Sequence, residues 1–208
     1  MNKRINIISS YINGSDKVAD IGCDQALLSE LLAKKKIYST ASDIRKNIVE
    51  NAKKRLEDLN LDSYVNFMVS DGIENIPNDI DTLVLAGMGT YTILDIISKA
   101  KKQYKKIITI SNNNNDILRV KMLDYGYKIY SEEIIYDKNK YYNLIVFIPG
   151  KCKYKEDEIL LGINHKNKDL FIEKLKCDLN KYSKIYDKSN DKNILNIIKI
   201  IEKKLKNY

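Results

Sequence analysis

Acidic residues, glycines or both mark four places in the first 90 residues: Asp20, Gly22, Cys23 and Asp24; Asp43 with Ile44 beside it; Asp71 and Gly72; and Gly87, Met88 and Gly89. Carboxylates attract cations and accept hydrogen bonds from hydroxyls, while glycines let a ligand lie against the backbone. Together they suit a ligand that carries hydroxyls and positive charge. A dinucleotide fingerprint has three glycines, two of which admit a pyrophosphate; here Asp24 and Ala26 stand where the second and third would be. A carboxylate repels a pyrophosphate. S-adenosylmethionine, with a sulfonium, an ammonium and no phosphate, fits the turn better. The bland reading is that Gly22 only ends a strand, and that Asp, Gly and Asn fill ordinary turns.

Four strand-like runs place these residues. Lys17–Ile21 leads into the Gly22–Asp24 turn and then the helical pattern from Gln25 to Leu32. Tyr38–Asp43 ends on an acid about 20 residues later, the spacing at which a carboxylate reaches ribose hydroxyls. Val65–Val69 runs into Ser70-Asp71-Gly72, and Thr82–Leu85 into Ala86-Gly87-Met88-Gly89. Helical spacing follows at Ile48, Ala52, Arg55, Leu56 and Leu59, and at Ile93, Leu94, Ile96 and Ile97. Alternating strand and helix implies a parallel sheet with right-handed crossovers. Such sheets bind ligands at the C-terminal edge of their strands, where all four acid or glycine ends would lie. Lys106–Ser111 forms a fifth strand, a helix ends near Gly126, and Tyr127–Asp137 and Lys140–Pro149 read as a hairpin. The expected fold is α/β: five βα units in a Rossmann-like class I methyltransferase sheet, closed by an antiparallel hairpin.

Asp20-Ile21-Gly22-Cys23-Asp24-Gln25-Ala26, Ser70-Asp71-Gly72, Ala86-Gly87-Met88-Gly89, Asn112 followed by Leu118-Arg119, and Leu144–Gly150 resemble the bacterial tRNA (adenine(22)-N1)-methyltransferase family. The resemblance spans about 150 residues in order, and Ala-Gly-Met-Gly is its most specific element. It implies S-adenosylmethionine as cofactor, tRNA as substrate and N1 of adenine 22 in the D-arm region as acceptor. The chain departs from the family at Gln25 (usually His), Leu27 (Tyr), Ser29 (Pro), Thr90 (a second Gly) and Ile110-Ser111 (Gln-Pro). Any step that needs that His or Tyr is in question.

Methyl transfer from a sulfonium needs alignment and exclusion of water rather than a covalent intermediate. Adenine N1 lies on the Watson–Crick edge, so the base must leave its stack, and methylation leaves a cation. A carboxylate or amide oxygen would stabilise that charge, which makes Asp24 and Asn112 the catalytic candidates. Asp24 could equally bind only the cofactor, and an Asn of the 112–115 run could only cap the next helix. Asp20, Gly22, Cys23, Asp43, Ile44, Asp71, Gly72, Gly87, Met88 and Gly89 are the expected cofactor residues.

The pattern breaks at Pro149-Gly150, dividing a methyltransferase domain, residues 1–150, from a tail, residues 151–208. The tail holds 15 lysines against 9 acids, six of the chain's net charge of +8. A basic excess is a footprint for a polyanion, although 32 lysines against 4 arginines also fits codon bias. Phe171, Leu175, Leu179, Tyr182 and Tyr186, then Ile194, Ile197, Ile198, Ile201, Leu205 and Tyr208, predict two helices separated by a break at Asp187–Asp191. They would pair as an antiparallel helical hairpin or coiled coil.

Three cysteines far apart indicate neither a zinc site nor a disulfide framework, and the single histidine, His165, is expected on a solvated surface. No metal, no membrane, a cytoplasmic setting and a monomer are expected, with tRNA as the partner. Two other readings stay open: an RNA-binding protein that keeps the sheet without catalysis, and a methyltransferase for a small molecule or protein.

Overall fold

The structure, a computed structural model, describes residues 3–208. After helix α1 (Lys3–Ser10), strands and helices alternate except between the third and fourth strands: β1 (Val18–Ile21), α2 (Leu27–Lys34), β2 (Ser39–Asp43), α3 (Lys46–Asp58), β3 (Val65–Val69), β4 (Thr82–Met88), α4 (Thr90–Ser98), β5 (Lys106–Ser111) and α5 (Asn115–Asp124). The hairpin β6 (Tyr127–Asp137) and β7 (Lys140–Pro149) comes next, then α6 (Glu156–Leu161), α7 (Lys168–Ser189) and α8 (Lys192–Leu205). The seven strands form one sheet in the order β3-β2-β1-β4-β5-β7-β6. The first five are parallel, and β7 runs antiparallel between β5 and β6.

This order reverses direction between β1 and β4. The connections leave that point on opposite faces, so a crevice opens above the two strand ends. Strands β1, β2 and most of β4 are buried, as parallel strands covered on both faces must be. One face packs against α4 and α5 through residues such as Leu85, Ile93, Ile107 and Phe147; the other carries α1 and α2 through Ile8, Leu28, Leu32 and Val84.

Three expectations need correction. The β3–β4 crossover is not a βα unit: residues 70–81 make turns without a helix, because Gly72 and Pro77-Asn78 interrupt any apolar period. The break in the tail is shorter than Asp187–Asp191. Helix α7 continues to Ser189, Asn190 closes it in the left-handed conformation at φ 50°, and the Asp191 carboxylate accepts from the Asn193 amide at 2.7 Å to start α8. His165 is not on a solvated surface. Its ring stacks on Phe171 with centroids 3.8 Å apart, its Nε2 lies 3.0 Å from the Leu161 carbonyl, and burial lowers its pKa.

So short a link turns α8 back along α7. Leu170, Leu179, Tyr182, Ile197, Ile200 and Leu205 gather around buried Phe171, Leu175 and Ile201. The same cluster includes Ile134 of β6 and Leu161 of α6, so the hairpin sits on the sheet's antiparallel edge. Among the described residues, no helix is long and apolar enough to cross a membrane.

Candidate functional site

The crevice at the reversal point is a cleft of about 760 Å³. Ten of the residues singled out in the sequence line it: Asp20, Gly22, Cys23, Asp24, Asp43, Ile44, Asp71, Gly72, Gly87 and Met88. Gly89 and Asn112 lie outside that lining.

The turn after β1 has the backbone of a glycine-rich loop built partly without glycine. Gly22, Asp24 and Ala26 all have positive φ, at 73°, 48° and 50°. For Asp24 and Ala26 this left-handed conformation costs about 1–2 kcal/mol each, so other contacts must hold it. The amides of Gly22 and Cys23 both donate to the Ser42 carbonyl at 2.8 Å. Arg55 of α3 donates to the Gln25 carbonyl at 2.8 and 3.1 Å and pairs with Glu30 at 2.6 Å. By spacing Arg55 belongs to a helical face; its fork instead braces the turn. A side chain at Gly22 would meet the Met88 methyl at 2.4 Å and push that flexible side chain aside, and the φ of 73° itself favours glycine.

The acids differ in their surroundings. The Asp20 carboxyl is buried, has no hydrogen-bond partner among the described residues, and is pushed up to about 7 by desolvation. Burial, reinforced by Asp20 and Asp43, pushes the Cys23 thiol up to about 12, so it stays protonated and unreactive. Asp43 is also buried, which alone would raise its pKa; hydrogen bonds from the Arg45 side chain at 3.0 and 3.3 Å and its amide at 3.0 Å bring it below the usual carboxylate range. Gly72, at φ 55°, sits against Ile96 of α4, and its carbonyl accepts from the Ser70 hydroxyl at 3.1 Å. Gly87, at φ 86°, has no atom within 4 Å of where a Cβ would stand. Arg4, Ile5 and Ile8 of α1 also line the cleft. The sequence there shows only a short amphipathic segment, since only the fold brings α1 above β1.

Residues 1–145 match the model of a family described as a methyltransferase domain. The chain belongs to this methyltransferase-domain family. It is 27% identical over 168 residues to the Bacillus subtilis tRNA (adenine(22)-N(1))-methyltransferase, covering 78% of this chain and 71% of that protein. The structure of M. capricolum TrmK in complex with S-adenosyl-homocysteine is 28% identical and superposes with a TM-score of 0.87 over 99% of this chain and 98% of that one. The B. subtilis TrmK crystal structure, at 22% identity and a TM-score of 0.78, covers 99% and 96% and shares the fold.

In this methyltransferase domain the ends of β4 and β5 are sewn together. Asn112 donates from its amide nitrogen to the Gly87 carbonyl and from its backbone to the Met88 carbonyl, both at 2.9 Å. Neither Asn112 nor any other Asn of the run caps α5 through its side chain. The Asn113 side chain instead accepts from the Thr90 amide at 3.2 Å, in the first turn of α4. The Thr90 hydroxyl lies 2.7 Å from that of Ser111 and 2.6 Å from the Asn113 carbonyl. Thr90 and Ser111 are two of the chain's departures from the family pattern. They are buried and bond to each other, so one departure satisfies the polar group that the other introduces. Spacing gave no hint of the contact because 21 residues separate them. Gln25 and Leu27, the departures at the expected His and Tyr, both line the cleft.

Proposed function

We propose that this chain is an S-adenosylmethionine-dependent methyltransferase that modifies N1 of adenine 22 in tRNA, with residues 1–150 as the catalytic domain and 151–208 as a helical domain that grips RNA. The observation that carries the cofactor is Asp20: a buried carboxyl with no partner among the described residues, at the reversal point of the sheet, fits a ligand that brings its own cation. The open face of Gly87 and the low-pKa carboxylate of Asp43 fit a ligand that lies on the backbone and presents hydroxyls. The Bacillus subtilis relative described as a tRNA (adenine(22)-N(1))-methyltransferase, and the excess lysine of the tail, support the substrate.

In this reading Asp20, Gly22 and Cys23 hold the methionine end, Asp43 and Ile44 the ribose, and Asp71 and Gly72 the adenine. Gly87, Met88 and Gly89 form the floor beside the acceptor. The cofactor supplies an electrophilic methyl group on a sulfonium. The chain contributes alignment and electrostatics. Asp24, exposed at the lip of the turn, offers a carboxylate to orient the incoming base and to stabilise the positive charge that methylation leaves on it. Asn112 acts one step back: its bond to Gly87 sets the backbone against which the base rests, which makes it a positioning residue. The protonated Cys23 thiol is a packing group.

Gln25 and Leu27 in the cleft favour a second reading, a tRNA-binding protein on the same fold without turnover. Initial rates on unmodified tRNA transcripts carrying A22 or G22 separate the two. The proposed function predicts 1-methyladenosine by nucleoside mass spectrometry with A22 and none with G22. Binding of both transcripts without product from either supports the second reading.

A further inference from the structure

Arg119 of α5 and Glu132 of β6 are the largest charged groups removed from solvent, with side chains 0% and 1% exposed. Their two parallel bonds, 3.0 Å from Nε and 2.7 Å from Nη2, form a bidentate pair. The remaining polar capacity goes to one short stretch of chain. Arg119 Nη1 donates to the Ile159 carbonyl at 2.8 Å, Glu132 Oε1 accepts from the Ile163 amide at 3.0 Å, and the Glu132 carbonyl accepts from the Lys166 amide at 3.2 Å. Gly162, at φ 90°, packs so closely that a Cβ would stand 2.5 Å from Glu132 Oε2 and 2.8 Å from Arg119 Nη2. Residue 167 is then the N-cap of α7, whose side chain accepts from the Leu170 amide. The pair therefore grips the last segment before the helical hairpin begins.

A buried ion pair adds little net stability over apolar residues of the same volume, because desolvating two charges offsets their attraction. The apolar contacts of Ile134 with Leu161, Phe171, Leu175 and Ile201 already hold the hairpin to the sheet. Those contacts are non-directional. The guanidinium fork, by contrast, fixes both the distance and the angle of what it binds. The other end of α5 leads back to the cleft, since it begins directly after the Ser111–Asn114 segment in which Asn112 holds Gly87.

We propose that Arg119 and Glu132 are positioning residues that hold the hairpin at one fixed orientation to the cleft, so that RNA bound along α7 and α8 delivers its base to Asp24. The proposal rests on the function proposed above. It separates orientation from adhesion, and a double substitution tests that distinction. Arg119→Met with Glu132→Leu fills the same space without charge, leaving the apolar adhesion intact and the Ile159 and Ile163 anchors unbound. The full-length variant is expected to melt cooperatively, bind S-adenosylmethionine as the natural chain does, and bind tRNA within about threefold, while kcat on tRNA falls about tenfold or more, as for a misplaced reactant. Natural kcat in the folded double variant overturns the proposal, as does parallel loss of cofactor binding, tRNA binding and turnover. Should the double variant fail to fold, Glu132→Gln, which keeps the shape and one acceptor, is read by the same criteria. A natural chain that fails to methylate tRNA refutes the proposed function instead, while a natural chain that does methylate it, alongside an equally active variant, refutes only this inference.

Discussion

The cleft and the helical hairpin are built on opposite terms. Around the cleft the backbone takes the left-handed conformation at Gly22, Asp24, Ala26, Gly72 and Gly87, and the Asp20 carboxyl is buried with no partner among the described residues. The hairpin is regular: each of its helices is opened by a side-chain cap, and its apolar seam is continuous. Strain and unmet polarity persist only where surrounding structure enforces them and a ligand makes use of them. Regular, lysine-bearing helices need no such compensation, and they suit a partner recognised by its charge over a long surface.

The sharpest way to break this contrast is at Asp24. If the cleft lip acts on the reacting base, Asp24→Asn will bind cofactor almost normally and lose turnover by more than about 10²-fold, the signature of a contact made in the transition state. A raised cofactor KM with normal kcat would make Asp24 a binding residue. On the hairpin, Lys181, Lys184 and Lys188 are exposed along one groove of α7 with Ile185. Changing all three to Glu is expected to weaken tRNA binding by about tenfold or more and to reduce the slope of log Kd against log salt by about three. Cofactor affinity, measured by calorimetry on the same variant, should not move.

Asp20 gives a pH test. Its carboxyl must ionise to attract a cation, so cofactor affinity should rise as pH passes through about 7, by roughly tenfold between pH 6 and pH 8. Its folded pKa lies above the ordinary value of 3.8, so its contribution to the stability of the free protein is present at low pH and lost as pH rises through about 7. Asp20→Asn should flatten the affinity profile; an unaltered profile would place the titration elsewhere. The smallest expected effect is at Ala26, where glycine relieves the left-handed φ. Ala26→Gly should stabilise the chain by about 0.5–1 kcal/mol in denaturant unfolding, whereas destabilisation would mean that the buried methyl outweighs the strain.

Much of this architecture is legible in the sequence because its signals are local. Strand β5 and both strands of the β6–β7 hairpin carry their own apolar runs and turn residues, and the acids and glycines that line the cleft each end a strand. The features that escape are non-local. Arg55 bracing Gln25, Thr90 meeting Ser111, and α1 roofing the cleft depend on side chains that only the folded sheet brings together. The turns at 70–81 and the half-buried stacking of His165 elude the sequence for a related reason. A strand signal carries no information about the next element, and a lone histidine among lysines looks exposed until Phe171 is found beneath it. Asn112 is legible as polar and near the edge, yet its bond to Gly87 gives it a supporting place beside the cleft.

The central claim, that the strained edge of the sheet transfers a methyl group to RNA presented by the helices, is tested most directly by following the group itself. Full-length protein is incubated with methyl-labelled S-adenosylmethionine and unmodified tRNA, and the digested RNA is mapped by mass spectrometry. The expected result is a single label, on N1 of adenine 22. Label on another atom or nucleotide, on the protein, or nowhere in RNA that the protein binds would contradict the account.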